Sequence, residues 1–181
     1  MNHHVLIRCA IFALFWPLVA PVHASGSREV GAVEGWSIIH DPAGDGACYA
    51  KGEYGKETRL TLGKIAPRAT WSAVVSNAAL EKIEVGAPYE IRFVFGTKYV
   101  WSEKAIGTQD GLRSDDIGEE FVDDFARASS VKLFIQDQSI DSFKLRGTRD
   151  AVAAINQCYV TYTRRAAPYA PSESTEALQS P

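Results

Sequence analysis

The densest chemical feature of the chain is a run of carboxylates: Asp115, Asp116, Glu119, Glu120, Asp123 and Asp124. On a helix, Glu119 stands with Asp123 and Glu120 with Asp124 at i, i+4, where like charges repel and a cation would relieve them. The spacing is not that of an EF-hand loop, whose ligands take alternate positions and end on a glutamate. Acids in a first helical turn also stabilise the helix N-terminus unaided. A solvated acidic face, available to a partner, therefore explains the series without a metal or other cofactor. His40 with Asp41 invites comparison with a hydrolytic triad, but no Gly-x-Ser-x-Gly elbow exists to present a nucleophile. Ser129 and Lys132 form a Ser-x-x-Lys without the companion motifs of penicillin-recognising enzymes. They are expected at a helix-to-strand junction, with Ser129-Ser130 a turn and Lys132 an outward strand residue.

The remaining polar clusters read as surface. Lys144, Arg146 and Arg149, with Arg164 and Arg165 further on, could receive an anion, but Asp141 and Asp150 are interspersed among them. No phosphate-cradling glycine motif is present. Trp36, Trp71 and Trp101, with Tyr49, Tyr54, Tyr89 and Tyr99, could line a sugar or peptide groove, although aromatic residues on strands more often fill a core.

These side chains must be positioned by the elements around them. Residues 1–24 read as a cleavable export signal: Arg8 opens it, Cys9 to Val19 is an apolar stretch broken by Pro17, and Val22-His23-Ala24 suits signal peptidase. The stretch is too short and interrupted to span a membrane. Its removal takes 24 of 181 residues and one charge, Arg8, so the formal charge goes from −3 to −4. That mild acidity argues against nucleic acid as a partner. Removal also takes Cys9, leaving Cys48 and Cys158 as a pair in an oxidising compartment, where a disulfide is expected.

Residues 25–34 read as a flexible lead-in, 35–165 as a single β-rich domain and 166–181 as a disordered tail of Ala, Pro, Ser, Glu and Gln. Strands are predicted near 36–40, 47–51, 57–63, 70–76, 89–95 and 99–106, the clearest being Tyr89 to Phe95, where Glu90 and Arg92 alternate with apolar residues. Ser114, Asp115 and Asp116 are expected to cap a helix carrying Ile117, Phe121 and Phe125. Strands at 131–135 and 139–145 follow, joined by Gln136-Asp137-Gln138. Thr148 is then expected to cap a second helix with Val152, Ile155 and Cys158 or Tyr159 facing inward. The fold class is α+β, mainly β: an antiparallel β-sandwich or open barrel with two helices and the Cys48–Cys158 disulfide.

Phe121-x-x-x-Phe125-Ala126-x-Ala128, the strand pair after it, and Phe143-Lys144-Leu145-Arg146-Gly147-Thr148 with Ala151 and Cys158 resemble the invasion-associated locus B family and related bacterial envelope proteins. Trp36, Cys48 and the strand at 57–63 extend the likeness. The resemblance implies an exported β-rich domain, in some members linked to host interaction or envelope stress, and assigns no functional residue. The resulting expectation is a periplasmic or secreted, non-enzymatic binding or accessory protein that meets another envelope or secreted protein through the acidic residues or exposed aromatics. An inhibitor or immunity protein against an exported hydrolase is the alternative. An envelope-polymer hydrolase would require His40, Asp41 and a serine to converge.

Overall fold

A computed structural model describes residues 26–166 apart from 44–45, 55–56 and 67, with residues 163–166 described by backbone alone. The proposed export signal and tail lie outside the described residues, save Ala166, the last residue of a helix. Ten strands form one antiparallel sheet: β1 (Arg28–Val33), β2 (Trp36–Asp41), β3 (Ala47–Tyr54), β4 (Thr58–Ile65), β5 (Thr70–Ser76), β6 (Pro88–Phe95), β7 (Tyr99–Thr108), β8 (Gly111–Ile117), β9 (Ser130–Ile135) and β10 (Gln138–Lys144). Two α-helices, α1 (Glu119–Arg127) and α2 (Thr148–Ala166), and a 3-10 turn at Ala78–Leu80 complete the described fold. Of the two architectures left open by the sequence, the chain adopts the open barrel, a curled half-barrel sheet in the order β1-β2-β3-β4-β5-β8-β7-β6-β9-β10.

The curl follows from where side chains meet. β10 lies six places from β4 in the sheet, so a flat sheet would separate them by about 29 Å at ordinary strand spacing. Instead Thr58 of β4 donates a hydrogen bond to Asp141 of β10, and Tyr54 stacks on Phe143 with centroids 4.2 Å apart. The Trp36 indole also donates to the Arg146 carbonyl at 2.7 Å. These contacts bring the far end of the sheet round to its early strands.

Alternation decides which side chains enter the resulting concavity. Trp36 and Ile38 of β2, Leu60 and Leu62 of β4, Ile91, Phe93 and Phe95 of β6, and Val131 and Leu133 of β9 are buried there. The apolar stripe of α1 closes over them: Phe121 meets Phe93 and Phe95 edge-on at 5.1 and 5.3 Å, and Phe125 meets Trp36 at 5.7 Å. Such T-shaped pairs add to simple burial because ring edges and faces carry opposite partial charge. On α2, Ala151, Ile155 and Cys158 are buried while Val152 and Tyr159 are only half-buried. Cys158 forms the expected bridge with Cys48, their Cα atoms 5.9 Å apart.

Three local expectations are corrected. Residues 28–33 are the edge strand β1, whose register runs from Arg28 opposite His40 to Val33 opposite Trp36. It is almost wholly exposed, so it lacks the apolar alternation that would announce it. Ser114, Asp115 and Asp116 are in β8 and do not cap α1, whose N-cap is Gly118 without a side-chain cap bond. Asp116, with φ 58°, is the extra residue of a bulge between the pairs Trp71–Ile117 and Ser72–Asp115, so β8 ends in a kink that releases the chain into α1. Thr148 is the first helical residue of α2, and its hydroxyl donates to the Ala126 carbonyl of α1. Gly147, at φ 63°, precedes it, and its carbonyl accepts from Ala151 N at 2.8 Å.

Candidate functional site

The carboxylate series is divided between two elements and largely engaged within the molecule. Asp115 pairs with Arg113 at 2.9 Å, Glu119 with Lys64 at 3.7 Å and Asp123 with Arg127 at 3.1 Å. Asp124 accepts from the Trp101 indole at 3.0 Å. Glu119 and Asp123, and Glu120 and Asp124, do stand at i, i+4 on α1, whereas Asp115 and Asp116 leave the sheet on the preceding strand. Among the described residues no three His, Cys, Asp or Glu side chains are placed to share a metal ion.

His40 and Asp41 are neighbours on β2 and so project to opposite faces of the sheet. His40 is 8% exposed, stacks on Tyr162 of α2 at 4.0 Å, and makes no hydrogen bond through Nδ1. Burial holds its pKa below 6.5; the Arg28 charge adds to this and Asp41 opposes it. The ring is a neutral packing element beneath α2, while Asp41 lines the other face. Among the described residues His40 and Asp41 do not converge with a serine. Ser129 and Lys132 are exposed at the junction between α1 and β9, as their surroundings in sequence suggest. Lys144, Arg146 and Arg149 are likewise exposed, and the side chains of Arg164 and Arg165 lie outside the described residues.

Of the candidate aromatics, Trp36 and Trp71 belong to the core, Trp101 is half-buried against Phe121, and Tyr89 accepts a hydrogen bond from Glu84 N. Tyr54 is sequestered against Trp36 and Phe143, and burial pushes its phenol well above the usual range. Tyr99 is exposed. It lines a small depression, and Tyr49 a larger one in the outer face of the sheet.

That depression, of about 440 Å³, lies on the outer face of β2, β3, β4, β5 and β8. Register builds it. One row across the sheet is Tyr49, Gly63, Ser72 and Asp115; the next is Lys51, Thr61, Val74 and Arg113; Arg59 and Ser76 form a third. The middle strands β4 and β5 thus present Thr61, Gly63, Ser72, Val74 and Ser76, all small, between larger side chains on β3 and β8. A Cβ added at Gly63 would stand 2.9 Å from Tyr49 Cβ, so glycine keeps the floor low beside that ring. Asp41 and Asp110 mark the two ends. Lys51 and Arg59 both approach Glu53 Oε1, at 3.4 and 3.5 Å, longer than a good charge-assisted hydrogen bond. Two cations on one carboxylate oxygen leave a unit of positive charge uncompensated there.

On the inner face, Lys64 is an unexpected half-buried cation, its side chain 15% exposed. Its ammonium donates to Asn156 Oδ1 at 3.1 Å and lies 4.8 Å from the Trp71 ring centroid. It thereby ties β4 to α2, with Glu119 of α1 alongside. Nothing in the alternation of β4 distinguishes it from an outward lysine except its parity with Leu60 and Leu62.

No family model, curated protein or solved structure matches the chain. Among the described residues no helix is long and apolar enough to cross a membrane.

Proposed function

We propose that the protein is an exported binding or accessory protein of the bacterial cell envelope, periplasmic or secreted, which holds its ligand in the outer-face trough without transforming it. The observation that carries this reading is the construction of the trough: small residues on two interior strands, flanked by Tyr49, Lys51, Arg59 and Arg113. A concave floor with a few converging polar groups is how proteins provide ligand contacts. Export is supported by the signal-like residues 1–24 and by a disulfide joining the two remaining cysteines. The absence of catalysis is supported by the separation of His40 from Asp41. An inhibitor acting through an acidic face has less support, because Asp115, Glu119, Asp123 and Asp124 already have partners within the molecule.

The test uses the mature oxidised protein, immobilised and challenged with an envelope extract, beside a Thr61→Trp variant that fills the trough floor and a variant with the six carboxylates neutralised. Retention lost in Thr61→Trp and kept in the neutralised variant is the expected result. Equal retention by wild type and Thr61→Trp would remove the trough from the function, and loss in the neutralised variant alone would transfer it to the acidic residues. Fractionation with N-terminal sequencing tests export, for which a mature chain starting at Ser25 is expected.

A further inference from the structure

We propose that the trough takes an acidic glycan strand, a hydroxyl-rich chain bearing carboxylate or phosphate groups at intervals. The proposal rests on the binding reading above and specifies its ligand. Shape comes first. The lining runs along the strands from Ala47 and Ile65 at one end to Arg59 and Ser76 at the other, a span of six residues or about 20 Å at the rise of a β-strand. The floor is one side chain deep and open along its length, which suits an extended oligomer lying parallel to β4 and β5.

The floor chemistry narrows the class. Thr61, Ser72 and Ser76 place hydroxyls on the floor, and the Ser76 hydroxyl already donates to the Asp110 carbonyl at the far end. Tyr49 offers the wall a flat ring of the kind that packs against the C–H faces of a pyranose. An extended peptide would gain affinity by adding to an open sheet edge or by filling apolar pockets. The trough offers no open edge, since β4 pairs with β3 and β5, and β5 with β4 and β8, so the strands under it spend their backbone groups within the sheet, and Thr61, Ser72 and Ser76 interrupt the apolar surface of Val74 and Ile65.

Charge narrows it again. Lys51, Arg59 and Arg113 bring three cations to the trough, with Glu53 and Asp115 on them and Asp41 and Asp110 at the ends. A polymer with a phosphate at every repeat would meet four carboxylates and be repelled. A strand with sparser acid groups can set one between Lys51 and Arg59, where positive charge is in excess, and another against Arg113, while its hydroxyls donate to the carboxylates.

The full mature protein, oxidised, is titrated calorimetrically with an acidic tetramer of alternating glucuronic acid and N-acetylglucosamine, which carries a carboxylate on every second sugar, its carboxyl-reduced neutral counterpart, and a glutamate hexapeptide. The expected result is saturable binding of the acidic tetramer, at least tenfold weaker binding of the neutral one, and no saturable binding of the peptide. Arg59→Ala and Arg113→Ala should each weaken the acidic tetramer by about tenfold, the worth of one charge-assisted hydrogen bond. Both side chains are about half exposed, and unchanged thermal unfolding confirms that the variants fold. Equal affinity for the neutral tetramer would overturn the acidic part of the proposal. Peptide binding as tight as the tetramer, or tetramer binding indifferent to Arg59→Ala, Arg113→Ala and Thr61→Trp together, would overturn it altogether. Failure of every probe also overturns the glycan class, while the extract experiment independently decides whether the trough binds anything.

Discussion

Replacing Cys48 and Cys158 by alanine tests the architecture most directly, because the bridge spans most of the described chain. The two residues are 110 apart, and on the chain-entropy account a loop of that length stabilises the fold by about 4.8 kcal/mol through restriction of the unfolded ensemble. Alanine is preferred to serine because both sulfurs are buried, Cys48 completely, and a serine hydroxyl would need a partner there. A domain of this size is ordinarily stable by about 5 to 15 kcal/mol, so the variant should remain folded but marginal. With a urea m-value of about 2 kcal/mol per molar, the unfolding midpoint should fall by roughly 2.4 M relative to the oxidised protein. The assay is equilibrium urea unfolding followed by tryptophan fluorescence, with Trp36 and Trp71 both buried reporters. A midpoint shift below about 0.5 M, at unchanged m, would refute the reasoning. It would mean that the contacts of α2 with the sheet already hold the loop closed in the unfolded ensemble or that the bridge is strained.

Lys64→Ala removes the hydrogen bond to Asn156 and the contact with Trp71 and should cost about 2 to 3 kcal/mol in thermal or urea unfolding, whereas Glu119→Gln, which touches the same lysine from a largely exposed carboxylate, should cost at most about 1 kcal/mol. Gly107→Ala should destabilise by about 3 kcal/mol, since its Cβ would stand 2.2 Å from the Glu84 carbonyl oxygen in a turn closed by backbone hydrogen bonds; an unchanged melting temperature would contradict this. His40 has its pKa lowered from 6.5 in the fold, so between the folded and unfolded values the unfolded chain binds the proton and the folded one does not. Stability should therefore fall as pH drops below about 6.5 toward the folded value, and His40→Phe, which keeps a ring on Tyr162, should flatten urea midpoints measured across that window.

The elements legible in the sequence are those whose burial is apolar. β5 falls at residues 70–76 as expected, and β6 begins one residue early, because Trp71, Ala73, Val75, Ile91, Phe93 and Phe95 carry the alternation themselves. β8 was hidden because one of its buried positions is Ser114, satisfied by the Lys104 carbonyl, and because Asp115-Asp116 imitate a helix cap. β1 was hidden for the opposite reason, having no buried face to leave a pattern. The disulfide was legible from counting, since reading residues 1–24 as an export signal leaves two cysteines to pair.

The trough illustrates a deeper limit. Apart from Asp110, in the turn between β7 and β8, every residue that builds it sits at an outer-face position of its own strand, where sequence periodicity reports no more than the face. Thr61, Gly63, Ser72, Val74 and Ser76 are unremarkable within β4 and β5, and so are Lys51 in β3 and Arg113 in β8. They become a floor between walls only because β8 pairs with β5, a neighbour in space separated from it by β6 and β7 in sequence. That pairing sets Lys51, Thr61, Val74 and Arg113 in one line. Alternation also explains why the most tempting motif failed: adjacency of His40 and Asp41 in sequence guarantees opposite faces on a strand, one under α2 and one in the trough. In a sheet protein, chemistry gathers from residues two apart on one strand or directly opposed on the next. The carboxylates that looked concentrated are therefore dispersed, and cations and hydroxyls scattered between residues 51 and 113 share a surface.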